Sequence, residues 1–580
     1  MKQLLKNLFF AIAGATLVGA SACSPPPQMD QKIVIYQIFT RLFGSDNLVV
    51  LPDGALSENG VGKFEDFTPL ALDSIRAMGV THVWYTGVIE HATIYSVDTV
   101  GGVHMNHPGV IKGKAGSPYS IKDYYDVNAY LATSVEHRME EFEALIERTH
   151  SAGMKALIDF VPNHVARGYH SDMAPAGVED FGSHDDLSVA FSPNNNFYYL
   201  PEQALTPQFS TSVECEPYYE FPAKVTGNDV FSASPSENDW YEAVKLNYGV
   251  DYLDSHKTHF DPLPDTWHKM LDILLYWSSK GVDGFRCDMA EMTPCEFWSW
   301  AIAAVKEQYP DMIFIAEIYN PAAYERYIVE GGFDYLYDKV GLYDTLKGVV
   351  QGHLPSSAIS DSRASIAPVQ KSMLNFLENH DEQRIAWHEF AGSAVAGLPM
   401  MLVSTLSDNI PMMIYFGQEL GEVSAEATGF SGADGRTTIF DFWTLPTYQA
   451  WRNGGRFDGA ALRASEKALR ANYIKLLKLS QDPLFIDGEY LDITALNPSS
   501  SQNVYAFARC LDKSAALVVS NFSEHAVRVE YKLPTPLSKM SYKATLFDSE
   551  GDALEISPDD AGAITLTLSP YQARVVEFKR

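Results

Sequence analysis

Along this chain, short runs of apolar residues with strand-like length alternate with stretches of helical period. The runs are Ile33–Phe39, Val80–Val88, Ala156–Val161, Val282–Asp288, Ile313–Ile318, Phe333–Tyr337, Ser372–Leu377 and Met412–Phe416. Such continuous apolar runs read as strands buried on both faces. Between them, Val135–Ala152 sets Met139, Phe142, Leu145 and Ile146 on one helical face, and Trp267–Lys280 repeats that period. Gly153 and Gly281 stand where these two helices would be capped. Alternation of this kind predicts an α/β fold of the (β/α)8 TIM-barrel type, with parallel strands. The competing layout, an open doubly wound sheet, usually carries a Gly-rich phosphate loop after its first strand. None is present.

The rhythm breaks over 164–263, a stretch rich in Pro, Asn, Tyr and Phe with few clean periods. About a hundred residues cannot be structureless loop in a compact domain, so they predict an inserted subdomain after the third strand. The barrel is then expected in two parts, 32–163 and 264–460. Over 461–580, a helix at Ser465–Leu479 precedes the alternating segments Val504–Ala508, Ala515–Val519, Val527–Tyr531 and Arg574–Phe578. These read as a C-terminal antiparallel β domain.

The N-terminus reads as an export signal over 1–22. Lys2 and Lys6 precede an apolar run from Leu8 to Val18 and the small residues Gly19-Ala20-Ser21-Ala22. The run is short for a spanning helix. Cys23 stands where bacterial lipoprotein signals place the lipidated cysteine, and 23–31 reads as a tether. An acyl chain there would anchor the protein to an outer membrane or cell surface. Ala20-Ser21-Ala22 also suits ordinary signal peptidase, so periplasmic or secreted protein is the alternative. Cys215, Cys287, Cys295 and Cys510 remain, without Cys-x-x-Cys metal spacing.

With 43 basic against 74 acidic side chains, the net charge of -31 excludes nucleic acid as an evident partner. A neutral glycan remains compatible. Three carboxylates sharpen this reading: Asp288 ends GVDGFRCD, Glu317 falls in MIFIAEIY, and Asp381 ends MLNFLENHD. A carboxylate at the end of an apolar strand is costly without a partner, and in a parallel barrel such ends meet at one mouth. Converging carboxylates are what acid-base and nucleophilic chemistry at a glycosidic bond requires.

Four segments then carry a resemblance: Asp159-Phe160-Val161-Pro162-Asn163-His164, Arg286 with Asp288, Glu317, and Asn379-His380-Asp381. They resemble, in order, the four signature regions of the α-amylase family, glycoside hydrolase family 13. Leu568-Ser569-Pro570-Tyr571-Gln572-Ala573 resembles the closing strand of that family's C-terminal domain. The resemblance implies a retaining hydrolase of α-1,4-glucosidic bonds in starch-like glucans or maltooligosaccharides. A glucanotransferase, cyclodextrin hydrolase or isomerase stays open, as does, more remotely, a non-catalytic glycan binder.

By the same resemblance Asp288 is the nucleophile, Arg286 its orienting cation, Glu317 the acid and base, and Asp381 a partner of the sugar's hydroxyls and developing charge. His164 and His380 would bind the same sugar. Tyr119, in Ser117-Pro118-Tyr119-Ser120-Ile121-Lys122-Asp123-Tyr124, would stack on it. Tyr415-Phe416-Gly417-Gln418-Glu419 matches a structural segment. Asp159 reads as support paired with a cation, and Ile315, Ala316 and Ile318 as an apolar surround for Glu317. Phe197-Tyr198-Tyr199 and Tyr218-Tyr219 either line outer subsites or pack the subdomain, Trp298 and Trp300 suit a buried helix, and His104, Asn106 and His107 are candidates for substrate contact from the second loop.

The pattern departs at Glu291 and Met292, where many α-amylases carry Lys-His. No cofactor is required for the chemistry. A structural calcium is an open expectation, with Asn163 as the family's ligand position and Asp229 as a candidate partner. Lys63 argues against a second calcium loop after the first strand. Oligomeric state is open.

Overall fold

The computed structural model describes residues 31–94, 106–213, 215–551 and 556–580. The expected export signal, Cys23, the tether as far as residue 30, and His104 lie outside the described residues. Each apolar run supplies one strand of a closed parallel barrel. The strands are β1 (Val34–Phe39), β2 (His82–Thr86), β3 (Lys155–Phe160), β4 (Gly284–Cys287), β5 (Ile313–Ala316), β6 (Tyr335–Tyr337), β7 (Met373–Phe376) and β8 (Met412–Tyr415). They follow one another in sequence order, and β8 closes on β1. Val34–Phe39 and Met412–Tyr415 are buried throughout, as strands covered on both faces must be. The helices Arg138–Ser151 and Asp265–Ser279 precede β3 and β4. Gly153 (φ 75°) and Gly281 (φ 90°) turn the chain out of them in the left-handed region that favours glycine.

Two excursions rise from the strand ends. After β3, residues 164–263 form short antiparallel pairs: His164–Ala166 with Ala243–Lys245, Tyr199–Leu200 with Ala223–Lys224, and Val250–Asp251 with Lys257–Thr258. Phe197, Tyr198 and Tyr199 are buried and pack this subdomain, whereas Tyr219 is exposed. After β2, Ile89–His91 pairs with Ile121–Val127, a hairpin the apolar pattern does not predict. Its second strand buries Lys122, Asp123 and Asp126. Lys122 pairs with Glu90 at 2.9 Å and Asp126 with Arg138 at 2.5 Å, while Asp123 accepts from the Ser171 hydroxyl at 2.6 Å and from Asp172 N–H at 2.8 Å.

Beyond the helix Ala464–Leu479 lie β9 (Glu489–Asp492), β10 (Val504–Leu511), β11 (Ser514–Asn521), β12 (Val527–Lys532), β13 (Ser541–Asp548), β14 (Ala563–Leu568) and β15 (Ala573–Lys579). They form one antiparallel sheet in the order β9-β10-β11-β15-β13 and a second of β12-β14. Strand alternation sorts the larger sheet's faces. Tyr505, Phe507, Ala516, Val518, Ala573 and Val575 join the barrel's core, while Val504, Ala506, Ala508, Leu517 and Val576 belong to the domain's own core. No helix of the described residues is long and apolar enough to cross a membrane.

Candidate active site

The barrel ladder continues one residue past β4 and β5. Asp288 N–H donates to the Phe160 carbonyl at 2.9 Å, and Glu317 N–H donates to the Cys287 carbonyl at 3.1 Å. Both acids thereby sit at adjacent strand ends on the same face. Met289 follows in the left-handed region (φ 42°, ψ 44°), a conformation costly for a bulky residue. That conformation accompanies an N–H aimed at Glu317 Oε2, 2.8 Å away. Ala290 N–H adds a bond to the Glu317 carbonyl at 3.1 Å, so the two strand ends clasp each other through main chain.

Arg286 lies fully buried beneath the acids. Its guanidinium reaches Asp288 Oδ1 at 2.6 Å, Glu317 Oε2 at 2.7 Å and Asp159 Oδ1 at 3.6 Å. The rings of Trp84, Tyr119 and Tyr337 surround it at 5.2–5.6 Å. Parallel register sets this up, because Arg286 pairs with Asp159 on β3 and with Ile315 on β5. Burial pushes the Asp288 carboxyl up; the Arg286 charge opposes this, and Glu317 adds a like charge. A cation between two acids offsets the cost of burying them.

Asp381 occupies the opposite side, with 40% of its side chain exposed at the mouth. Its burial disfavours ionisation, but His380, 2.9 Å away, with Arg286 and Arg436 brings it down to about 2. Gln37 Nε2 lies 2.8 Å from His380 Nδ1 and holds the ring from the side away from Asp381. His380 Nε2 also lies 2.5 Å from the Tyr119 hydroxyl. Tyr119 stacks on His380 at 5.1 Å, and its hydroxyl donates to Asp159 at 3.3 Å. Its ring, expected to face a sugar, is thus engaged by His380 and Arg286 and is 8% exposed.

Asp159 holds Arg286 and accepts from Trp84 Nε1 at 3.0 Å. Ile315, Ala316 and Ile318 are buried; by strand alternation Ala316 and Ile318 point away from the face of Glu317, and Ile315 shares it. The Glu317 carboxylate itself meets Arg286, Met289 N–H and the Tyr319 hydroxyl. His164 is buried beside Trp240, and burial and Lys245 hold its ring neutral, down to about 3. A Cβ at Gly227 would come within 3.2 Å of His164 and Trp240, so any larger residue there would press on the His164 ring. His107 is tied to the subdomain through the Glu216 carbonyl at 2.8 Å. Trp298 is buried, as expected, and donates to the Ala290 carbonyl at 3.0 Å. Tyr319, Trp84, Tyr337 and Gln37 escape the sequence reading. Only Tyr319 carried a signal, its spacing of two residues from Glu317.

Asn163 does not fit a calcium site. Lys245 Nζ lies 2.6 Å from Asn163 Oδ1 and 2.6 Å from Asp229 Oδ1. An ammonium already bridges the two candidate oxygens, and a divalent cation there would meet its charge. Among the described residues Glu90, Asp123 and Asp126 also bring carboxylate oxygens within 4.8 Å of one another, but Lys122 and Arg138 pair with two of them. Lys245→Met is expected to destabilise the fold by about 2–3 kcal/mol, because Asn163 and a mostly buried Asp229 lose their cation. A chelator is expected to leave the wild-type melting temperature unchanged. A drop on chelation that calcium reverses would show that the ion, not Lys245, bridges these residues.

Comparison with known proteins agrees with this geometry. The model of the α-amylase catalytic domain matches residues 59–440, and that of the α-amylase C-terminal all-β domain matches 497–579. The α-amylase MalA of Haloarcula japonica is 24% identical over 552 residues, 92% of this chain and 63% of that protein. A cyclomaltodextrin glucanotransferase of Bacillus sp. strain 38-2 is 24% identical over 441 residues, 71% of this chain and 52% of that protein. The chain thus spans less than two thirds of the length of either relative. A crystal structure of a noncanonic maltogenic α-amylase, AmyB from Thermotoga neapolitana, superposes with a TM-score of 0.60 at 19% identity, covering 95% of this chain and 100% of that one. That likeness shows the shared fold. The family match spans most of the barrel, including the strand ends where Asp288, Glu317 and Asp381 meet, and the chain belongs to the α-amylase family of glycoside hydrolases.

Proposed function

We propose that the protein is a retaining α-glucan hydrolase acting on α-1,4 linkages of starch-like glucans or maltooligosaccharides. The observation that carries this reading is the single Arg286 guanidinium, hydrogen-bonded to Asp288 and ion-paired with Glu317. One cation drawing two carboxyls together suits the roughly 5–5.5 Å separation of a retaining pair better than the wider gap that admits a water. Asp288 attacks the anomeric carbon while Glu317 gives its proton to the departing glycosidic oxygen, which takes the bond's electron pair. Water then returns a proton to Glu317, bonds the sugar and frees Asp288. Asp381, ionised and open to the mouth, accepts from sugar hydroxyls and faces the oxocarbenium-like charge.

The test is hydrolysis of maltooligosaccharides with the product anomer followed by NMR. The α-anomer is expected first; net inversion would remove Asp288 from the nucleophile's role. Transfer is the second reading. It is favoured by Glu291 standing beside the nucleophile, where it binds the Tyr319 main chain at 3.0 Å instead of presenting a cation to the leaving group. Products longer than an input maltoheptaose would support it.

A further inference from the structure

The two oxygens of Glu317 are held differently. Oε2 accepts from Met289 N–H at 2.8 Å and faces Arg286 Nη2 at 2.7 Å as an ion pair. Neither group can withdraw, since one is main chain and the other a buried guanidinium. A nearby cation and a fixed N–H donor both favour a bare, negative oxygen, so Oε2 is the poorer place for a proton. The proton that an acid must deliver therefore rides on Oε1. Among the described residues, the hydrogen bond to Oε1 comes from the Tyr319 hydroxyl, at 2.6 Å.

We infer that Tyr319 is a positioning residue for the proton donor, and that Glu291 sets Tyr319 in place. The terminal torsion of a glutamate is broad and intrinsically soft. Arg286 and Met289 fix one oxygen, and the phenol fixes the other, so the carboxyl plane is held at both ends. One lone pair of Oε1 stays free to carry the proton to the glycosidic oxygen. Tyr319 itself is anchored by its N–H, which donates to Glu291 Oε1 at 3.0 Å. Glu291 belongs to the short turn Ala290–Met292 that follows the nucleophile. Tyr327 ties that turn down, donating to the Thr293 carbonyl at 2.9 Å. The departure from the common family pattern beside Asp288 therefore serves the acid rather than the leaving group directly.

This inference rests on reading Glu317 as the acid. Its test compares two substrates that differ in their need for a proton. A maltooligosaccharide requires protonation of the departing oxygen, whereas α-maltosyl fluoride loses fluoride without it. Tyr319→Phe is expected to lower kcat/KM on the oligosaccharide by roughly tenfold, a part of the 10²–10⁴ that general-acid catalysis supplies. On the fluoride the change is expected to stay within about twofold, because kcat/KM there reports a step without acid catalysis. Glu291→Ala is expected to show the same selectivity at smaller size, which provides a second reading if Tyr319→Phe folds poorly. Equal losses on both substrates, or no loss on either, would overturn the role of Tyr319. Wild-type protein inactive on both substrates would instead overturn the hydrolase reading, and this inference with it.

Discussion

Asp288→Asn is expected to abolish turnover, with kcat falling at least about 10⁴-fold, the scale on which removal of a covalent nucleophile is felt. An amide has nearly the same shape and still offers Arg286 an acceptor, but it cannot form the ester with the anomeric carbon. The fold is expected not to suffer. Burial pushes the Asp288 carboxyl above its ordinary range, with Glu317 contributing and Arg286 opposing. A carboxyl raised in the folded state costs stability above its folded pKa and none below its unfolded one. Removing that charge is therefore expected to keep or raise the melting temperature at neutral pH, and to leave maltooligosaccharide binding intact by calorimetry. An Asp288→Asn protein that still turns over, with the substitution verified, would sink the covalent mechanism. One that unfolds would show that the ionised form supports the fold.

The barrel was legible because its strands are buried on both faces and so appear as uninterrupted apolar runs, Met412–Tyr415 among them. The hairpin after β2 was not, because its strand Ile121–Val127 buries Lys122, Asp123 and Asp126 against partners remote in sequence. The three acids stood out because carboxylates rarely close apolar runs. Their partners depend on register, which no single run contains. That Arg286 bridges Asp288 to Glu317 follows only once β4 lies beside β5. Lys245 sits in an aperiodic stretch, and its place opposite His164 arises from a three-residue pairing in the inserted subdomain. An expectation of calcium at Asn163 drawn from the motif alone therefore missed the ammonium that the fold brings to the same oxygens.

Arg286→Met is expected to damage stability and activity together, and the pH dependence separates the causes. The substitution leaves Asp159, Asp288 and Glu317 buried with no shared cation. Breaking a buried ion pair by removing one partner costs about 3–5 kcal/mol. Burial already raises Asp159 and Asp288, and Arg286 is the leading group that opposes this in both. Without it their folded pKa values rise further. The deficit is therefore fully present above those values and disappears as the carboxyls protonate, so it is expected to widen from about pH 4 to about pH 8. Hydrolysis at neutral pH is expected to fall by roughly 10³-fold, because a protonated Asp288 is no nucleophile. Arg286→Lys sharpens the test. An ammonium restores the charge, but its single nitrogen cannot stand 2.6 Å from Asp288 and 2.7 Å from Glu317 as the two guanidinium nitrogens do. It is expected to recover most of the stability and little of the activity. A methionine variant as stable as wild type at high pH would mean that the guanidinium is not what holds these acids together. A lysine variant with full activity would mean that charge alone, without the fork joining Asp288 to Glu317, is enough for the chemistry.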